Sequence, residues 1–173
     1  MRLFIAVPLP ADVRRALSRV SRELIARGAT GRFVPEENYH ITLRFIGESS
    51  DVYALSLAMR DAVRDVTPFS LRLGAYGFFA SGGGRTGYIG LTGDLPELER
   101  LSETLEGALL EQGFSRGRGR FVPHVTLGRS LLVPEGAAVK CEPVPFAVGA
   151  LVLYESRQEG GRMAYTPLHR EAF

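Results

Sequence analysis

The chain has 173 residues, 45% of them hydrophobic and 23% charged, with a formal net charge of +2. That is the balance of a folded globular protein rather than a disordered segment, and it excludes a generally polycationic surface. A single cysteine, Cys141, excludes an internal disulfide framework and a cysteine-rich metal site, and fits a reducing, cytoplasmic setting.

The opening RLFIAVPL (2–9) reads as a strand. Its apolar stretch is short and broken by proline, so it is not taken as a secretion signal. Pro10 then opens a helix to about Arg27, with Val13, Ala16, Leu17, Val20 and Leu24 on one face. Gly28–Gly31 closes it. Residues 40–46 form the next strand. A second helix is expected from Asp51 to about Val66, with Leu55, Met59, Ala62 and Val66 as its stripe and Pro68 beyond its end.

The period then changes. Phe69–Leu73 alternates as a strand that 75–80 extends, Gly82–Gly84 turns, and Thr86–Thr92 returns. Asp94 is placed to cap a third helix, with Glu97 three residues on, and Leu98, Leu101, Leu105 and Ala108 face inward until Gly113. A strand at 122–129 follows, then two more near 146–155 and 163–170, joined by Gln158–Gly161. The longest apolar runs, such as FAVGALVLY (146–154), are strand-sized and below the ~20 residues that span a bilayer, so no membrane partner is expected.

Within this order one pattern occurs twice. RFVPEENYHITLRFIG (32–47) returns as RFVPHVTLGRS (120–130). Each copy carries His-x-Thr on a strand, His40 with Thr42 and His124 with Thr126, 84 residues apart. The repeat points to two related halves, with Gly82–Gly84 the best candidate crossover. The fold class expected is α+β: two pseudo-symmetric lobes of mainly antiparallel sheet with outer helices, sharing a central cleft that carries both His-x-Thr strands. Residues 1–173 are read as a single domain, and a monomer.

On a strand, residues i and i+2 face the same way. His40 and Thr42 therefore share a face, as do His124 and Thr126, with Ile41, Leu43, Val125 and Leu127 opposite on the core. Two imidazoles with two hydroxyls suit in-line chemistry at a phosphodiester. One imidazole takes a proton from the attacking oxygen, the other supplies one to the leaving oxygen, and the threonines hydrogen-bond the phosphate. Metal binding by His40, His124 and His169 is the rival chemistry. It lacks the ligand spacings of known sites, and His169 reads as a surface residue of the last strand. The run Ser115-Arg116-Gly117-Arg118-Gly119-Arg120 is either a solvated loop or an anion-facing one.

At HITLRFIG and HVTLGR the chain resembles the 2H phosphoesterase superfamily, and within it the RNA 2′,3′-cyclic phosphodiesterases, also called 2′-5′ RNA ligases. RLFIAVPLP, PFSLRLGAYGFF and the tail LYESRQEGGRMAYTPL extend the likeness over nearly the whole chain. The resemblance implies a hydrolase that needs no metal or cofactor and opens RNA 2′,3′-cyclic phosphate ends, those of tRNA fragments included, to a 2′-phosphate. It implies His40 as proton donor, His124 as proton acceptor, and Thr42, Thr126 and Arg129 as phosphate-binding residues. Strict alternation puts Arg129 on the face opposite His124, so a bulge or strand end is needed to bring it round. Ligation through a 2′-5′ linkage is the expected side reaction. The family often has tryptophan in the strand corresponding to Thr86–Thr92; here Tyr88 is the nearest aromatic. Two alternatives stay open: an RNA- or nucleotide-binding module on the same fold, and a related enzyme acting on small cyclic nucleotides.

Overall fold

The computed structural model describes residues 1–173, apart from the side chain of Ser81. In chain order the elements are β1 (Arg2–Pro8), α1 (Ala11–Ala26), β2 (Thr30–Phe33), a 3₁₀ turn (Glu36–Asn38), β3 (His40–Glu48), α2 (Val52–Val63), β4 (Phe69–Ser81), β5 (Gly84–Gly93), α3 (Leu95–Glu111), β6 (His124–Leu132), β7 (Pro145–Val148), β8 (Ala150–Glu159) and β9 (Arg162–Ala172). The class is α+β, as expected.

The strands form two antiparallel sheets, ordered β3-β1-β8-β9 and β2-β6-β5-β4-β7. Each is one lobe. The lobes do not divide the chain into an N-terminal and a C-terminal half, because β8 and β9 return to the sheet that β1 begins. Gly82–Gly84 is therefore not the crossover between lobes. Gly82 and Gly83 turn the β4–β5 hairpin inside one sheet, where Ser81 pairs with Gly84. The chain changes sheets between β1 and β2, between β2 and β3, between β3 and β4, and last at Gly149. The apolar run read as one strand near 146–155 splits there, with β7 on β4 and β8 on β1.

The internal duplication is real at the level of elements. α1 and α3 begin 84 residues apart, as do β3 and β6. Both helices bury the stripe that their periodicity predicts: Val13, Ala16, Leu17, Val20 and Leu24 in α1, and Leu98, Leu101, Leu105 and Ala108 in α3. Both also end alike. Gly28 (φ +97°) donates to the Ile25 carbonyl while Ala29 donates to Leu24, and Gly113 (φ +87°) donates to Leu110 while Phe114 donates to Leu109. This pairing of the last carbonyls needs a left-handed residue after the helix, which glycine adopts freely.

The Arg-Phe-Val-Pro part of the repeat, by contrast, is not structurally equivalent in the two halves. Arg32 and Phe33 lie in β2, an edge strand on β6, four residues further from their histidine than the second copy, which forms an irregular approach to β6. Two local expectations also change. α2 stops at Val63 rather than Val66, with the Asp51 carboxylate accepting from the Ala54 N–H at 3.0 Å as its cap. Asp94 occupies the N-cap of α3, yet its carboxylate accepts from the Ser70 N–H at 3.0 Å and so ties the helix start to β4. α2 packs against α3, β8 and β9, and α3 also meets β3. Among the described residues no helix is long and apolar enough to cross a membrane.

Candidate active site

β3 pairs with β1, and β6 pairs with β5, with the same irregularity after each His-x-Thr. Thr42 pairs with Ala6 but Arg44 pairs with Ile5, so Leu43 is an extra residue. Thr126 pairs with Tyr88 but Gly128 pairs with Gly87, so Leu127 is an extra residue at the equivalent place. A second extra residue follows in each strand, at Ile46 in β3 and between Gly128 and Leu131 in β6. Bulges of this kind re-aim the side chains that follow them. Arg129, which alternation would turn away, lines the same cleft as His124. The adjacent Ser130 sits at φ +52°, outside the usual range for a residue with a Cβ.

The cleft has a volume of about 910 Å³. His40, Thr42, His124, Thr126 and Arg129 all face it, with Tyr165 beside them. The five residues singled out from the sequence are thus brought together. His169 is not among them; its Nε2 lies 2.8 Å from Glu171 in β9. Among the described residues no three His, Cys, Asp or Glu side chains are grouped to hold a metal ion.

The two histidines are held by one device. The Nδ1–H of His40 donates to the Asn38 carbonyl at 2.7 Å, and that of His124 donates to the Val122 carbonyl at 2.6 Å. In both cases the acceptor is the carbonyl two residues back. A carbonyl can only accept, so Nδ1 carries a proton and Nε2 is left to the cleft. In His40 that Nε2 lies 2.8 Å from the Thr42 hydroxyl.

Their surroundings differ. The His40 ring packs 4.9 Å from Phe4 and stands edge-on to Tyr165 at 5.4 Å. Burial pushes its pKa down from 6.5 to about 4; the Asn38 hydrogen bond opposes this, and the positive charges of Arg129 and His124 reinforce it. Near neutral pH this favours the uncharged form of His40. The His124 ring stands roughly perpendicular to those of Phe79 and Tyr88, at 5.3 and 5.6 Å, and these two stack on each other at 4.4 Å. Gly77 makes room for this wall, since a Cβ there would fall 2.6 Å from the Tyr88 hydroxyl. Tyr88 thus stands against the second histidine rather than merely near it in sequence.

Two further contributors were not singled out beforehand. Phe45 holds, in the first repeat, the position that Arg129 holds in the second. Its ring is 64% exposed and lines the cleft. The signal is the shared spacing, five residues after each histidine, and its meaning depends on the exposure of Phe45 after the bulge. Tyr165, in a strand read as a mere terminal hairpin, has its hydroxyl pKa raised by burial against His40. Arg116, Arg118 and Arg120 also line the cleft, which favours the anion-facing reading of that loop.

Comparison with known proteins adds a lineage to this geometry. The family model described as the 2′-5′ RNA ligase superfamily matches residues 7–160. A Thermotoga maritima protein named RNA 2′,3′-cyclic phosphodiesterase is 30% identical, over 95% of this chain and 100% of its own length. An Escherichia coli protein of the same name is 31% identical, over 99% of this chain and 96% of its own. Among solved structures, a Thermus thermophilus protein superposes with a TM-score of 0.84 at 27% identity, covering 99% of this chain and 97% of that one. Escherichia coli LigT complexed with 3′-AMP gives 0.80 at 31% identity, with the same coverage.

Proposed function

The chain belongs to the 2′-5′ RNA ligase superfamily, and from that premise we propose that it is an RNA 2′,3′-cyclic phosphodiesterase working by paired histidine acid–base catalysis. The observation that carries the mechanism is the matched pair of imidazoles. Each has Nδ1 tied to a backbone carbonyl and Nε2 turned to one cleft that also holds Arg129. Duplication supplies a group on either side of a phosphorus, which in-line displacement requires.

In this reading His124 Nε2 takes a proton from water as its oxygen attacks phosphorus. The P–O3′ bond breaks, His40 Nε2 delivers a proton to the departing 3′ oxygen, and the phosphate stays on the 2′ oxygen. Thr42, Thr126 and Arg129 stabilise the charge on the phosphate oxygens. His40 must carry the donated proton, and its pKa of about 4 leaves it without one near neutrality. The bound phosphodiester provides the remedy: its negative charge beside the ring favours the imidazolium against the burial, and the lesser Arg129 charge, that disfavour it. Protonation of His40 is then coupled to substrate binding.

Phe45 offers its exposed face to the terminal base, and the arginine loop offers charge to the upstream phosphates. The loop favours RNA over a small cyclic nucleotide as the substrate, with tRNA fragments one such source of cyclic ends. An RNA 5′-hydroxyl replacing water reverses the cleavage and yields a 2′-5′ linkage, a side reaction because orienting two RNA ends costs entropy. The reading takes residues 1–173 as one monomeric cytoplasmic catalytic unit.

The test is an RNA ending in a 2′,3′-cyclic phosphate, incubated in excess EDTA with the wild type, His40→Ala and His124→Ala. The expected product is a 2′-phosphate, with a loss on the order of 10²–10⁴ in rate for each variant. Intact RNA that stays bound to the wild type would replace the enzyme by a binding module.

A further inference from the structure

Arg44 has no part in the chemistry just described. It stands on β3 two residues after Thr42, and its side chain reaches α3 and the loop that follows it. There its Nη2 donates to the Ser115 carbonyl, and its Nη1 lies 3.5 Å from Glu106 Oε2. Glu106, on α3, holds the same loop through a second atom: its Oε1 accepts the Gly117 N–H at 2.6 Å. Gly117 is seated on the guanidinium itself. A Cβ there would fall 2.6 Å from Arg44 Nε, 3.0 Å from Cδ and 3.3 Å from Cζ.

The pair is well shielded, with 11% of the Arg44 side chain and 20% of Glu106 exposed. Burying charge to this degree is costly unless the geometry returns something. The Ser115–Gly117 segment has no regular secondary structure, so Arg44 and Glu106 satisfy backbone groups that no ladder does. Arg116 lies inside the clamped segment and Arg118 and Arg120 follow it, all three lining the cleft.

We infer that Arg44 is a positioning residue for the RNA chain. By clamping Ser115–Gly117 against Glu106 it aims the three arginines into the cleft, so the strand that carries His40 also sets the path of the RNA upstream of its cyclic end. The inference rests on the phosphodiesterase reading and deepens it. It makes the arginine loop a preformed phosphate track rather than a flexible charged tether, and it explains a glycine at position 117.

The experiment compares a 2′,3′-cyclic mononucleotide with an RNA of about ten nucleotides ending in the same group, from about 50 to about 200 mM salt. The wild type is set beside Arg44→Ala, Gly117→Ala, Glu106→Gln and the Arg116/Arg118/Arg120 triple alanine. In the wild type, kcat/KM for RNA should exceed that for the mononucleotide and fall with salt. In Arg44→Ala the ratio of the two should drop roughly tenfold, carried by KM, with a flatter salt slope. Gly117→Ala removes no charge and should have the same effect by lifting the loop off the guanidinium. Glu106→Gln should follow in part, and these two variants decide the matter if Arg44→Ala folds poorly. Adding Arg44→Ala to the triple variant should change the ratio no further.

Equal losses on both substrates, an unchanged ratio, or additivity with the triple variant would each overturn the inference. A wild type inactive on both substrates would instead overturn the phosphodiesterase reading. Equal, salt-insensitive activity on both would leave that reading standing and remove the role of the loop.

Discussion

His40 shows how far the burial of one side chain reaches. Its ring is packed between Phe4 and Tyr165, and the neutral form is favoured down to a pKa of about 4. In the unfolded chain the same group titrates near 6.5. Between these values the unfolded state binds more protons, so folding stability falls as pH drops from about 6.5 to about 4 and levels off below. The loss from this residue is on the order of 3 kcal/mol. Urea titrations of the wild type and of His40→Gln should converge as the pH is lowered through that window. An NMR titration of the His40 ring should show a midpoint near 4 in the free protein, moving up when a 2′-phosphomononucleotide is added. A midpoint that does not move would break the proposed coupling of His40 protonation to binding. Phe45 belongs to the same scale. Stacking on an aromatic ring contributes about 1–3 kcal/mol per base, so Phe45→Ala should lower kcat/KM roughly tenfold while leaving the melting temperature nearly unchanged, its side chain being mostly exposed.

At the scale of the element, the decisive features are the bulges of β3 and β6. The His-x-Thr pairs were legible in the sequence because a strand has a period of two, and both pairs keep it. Arg129 follows the bulge at Leu127, where that period fails, so its position was a conditional expectation until the pairing of β5 with β6 was known. β2 was invisible for a related reason. Thr30–Phe33 is short, mostly polar and contains a glycine; it is a strand because β6 offers it an edge, and propensity had no part in it. The β7–β8 run misled in the opposite sense, since an unbroken apolar stretch carries no mark of which sheet each half joins. Gly128 gives this scale its test. A Cβ there would fall 2.9 Å from Leu131 Cδ2 and 3.0 Å from the Arg32 carbonyl oxygen. Gly128→Ala should push β2 off β6 and shift Arg129, costing about 1–3 kcal/mol of stability. Its activity should fall by more than the unfolded fraction accounts for, and urea denaturation with parallel kinetics will separate the two effects.

At the scale of the whole molecule, the question is whether two lobes that share a cleft also share a core. One hydrophobic cluster runs through residues of both sheets and all three helices: Ile5 and Leu151 in the first sheet, Leu71 and Val125 in the second, and Leu17, Met59 and Leu105 from α1, α2 and α3. The chain also crosses between the sheets four times, between β1 and β2, β2 and β3, β3 and β4, and β7 and β8, so neither lobe is a continuous piece of sequence that could fold first and wait for the other. The proposed catalytic pair, split across lobes, needs such a joint core, because independent lobes would let His40 and His124 drift apart by more than a proton transfer tolerates. Leu17 and Leu105 are each almost fully buried, and truncating either to alanine should cost about 2–5 kcal/mol. The ring signals of His40 and His124, followed by NMR through urea titrations of Leu17→Ala and Leu105→Ala, should lose native intensity at one common midpoint in each variant. If Leu105→Ala released His124 while His40 stayed native, the lobes would be separate cooperative units. The alignment of the two imidazoles would then rest on the cleft surface, chiefly on the Arg44 clamp, rather than on the core beneath it.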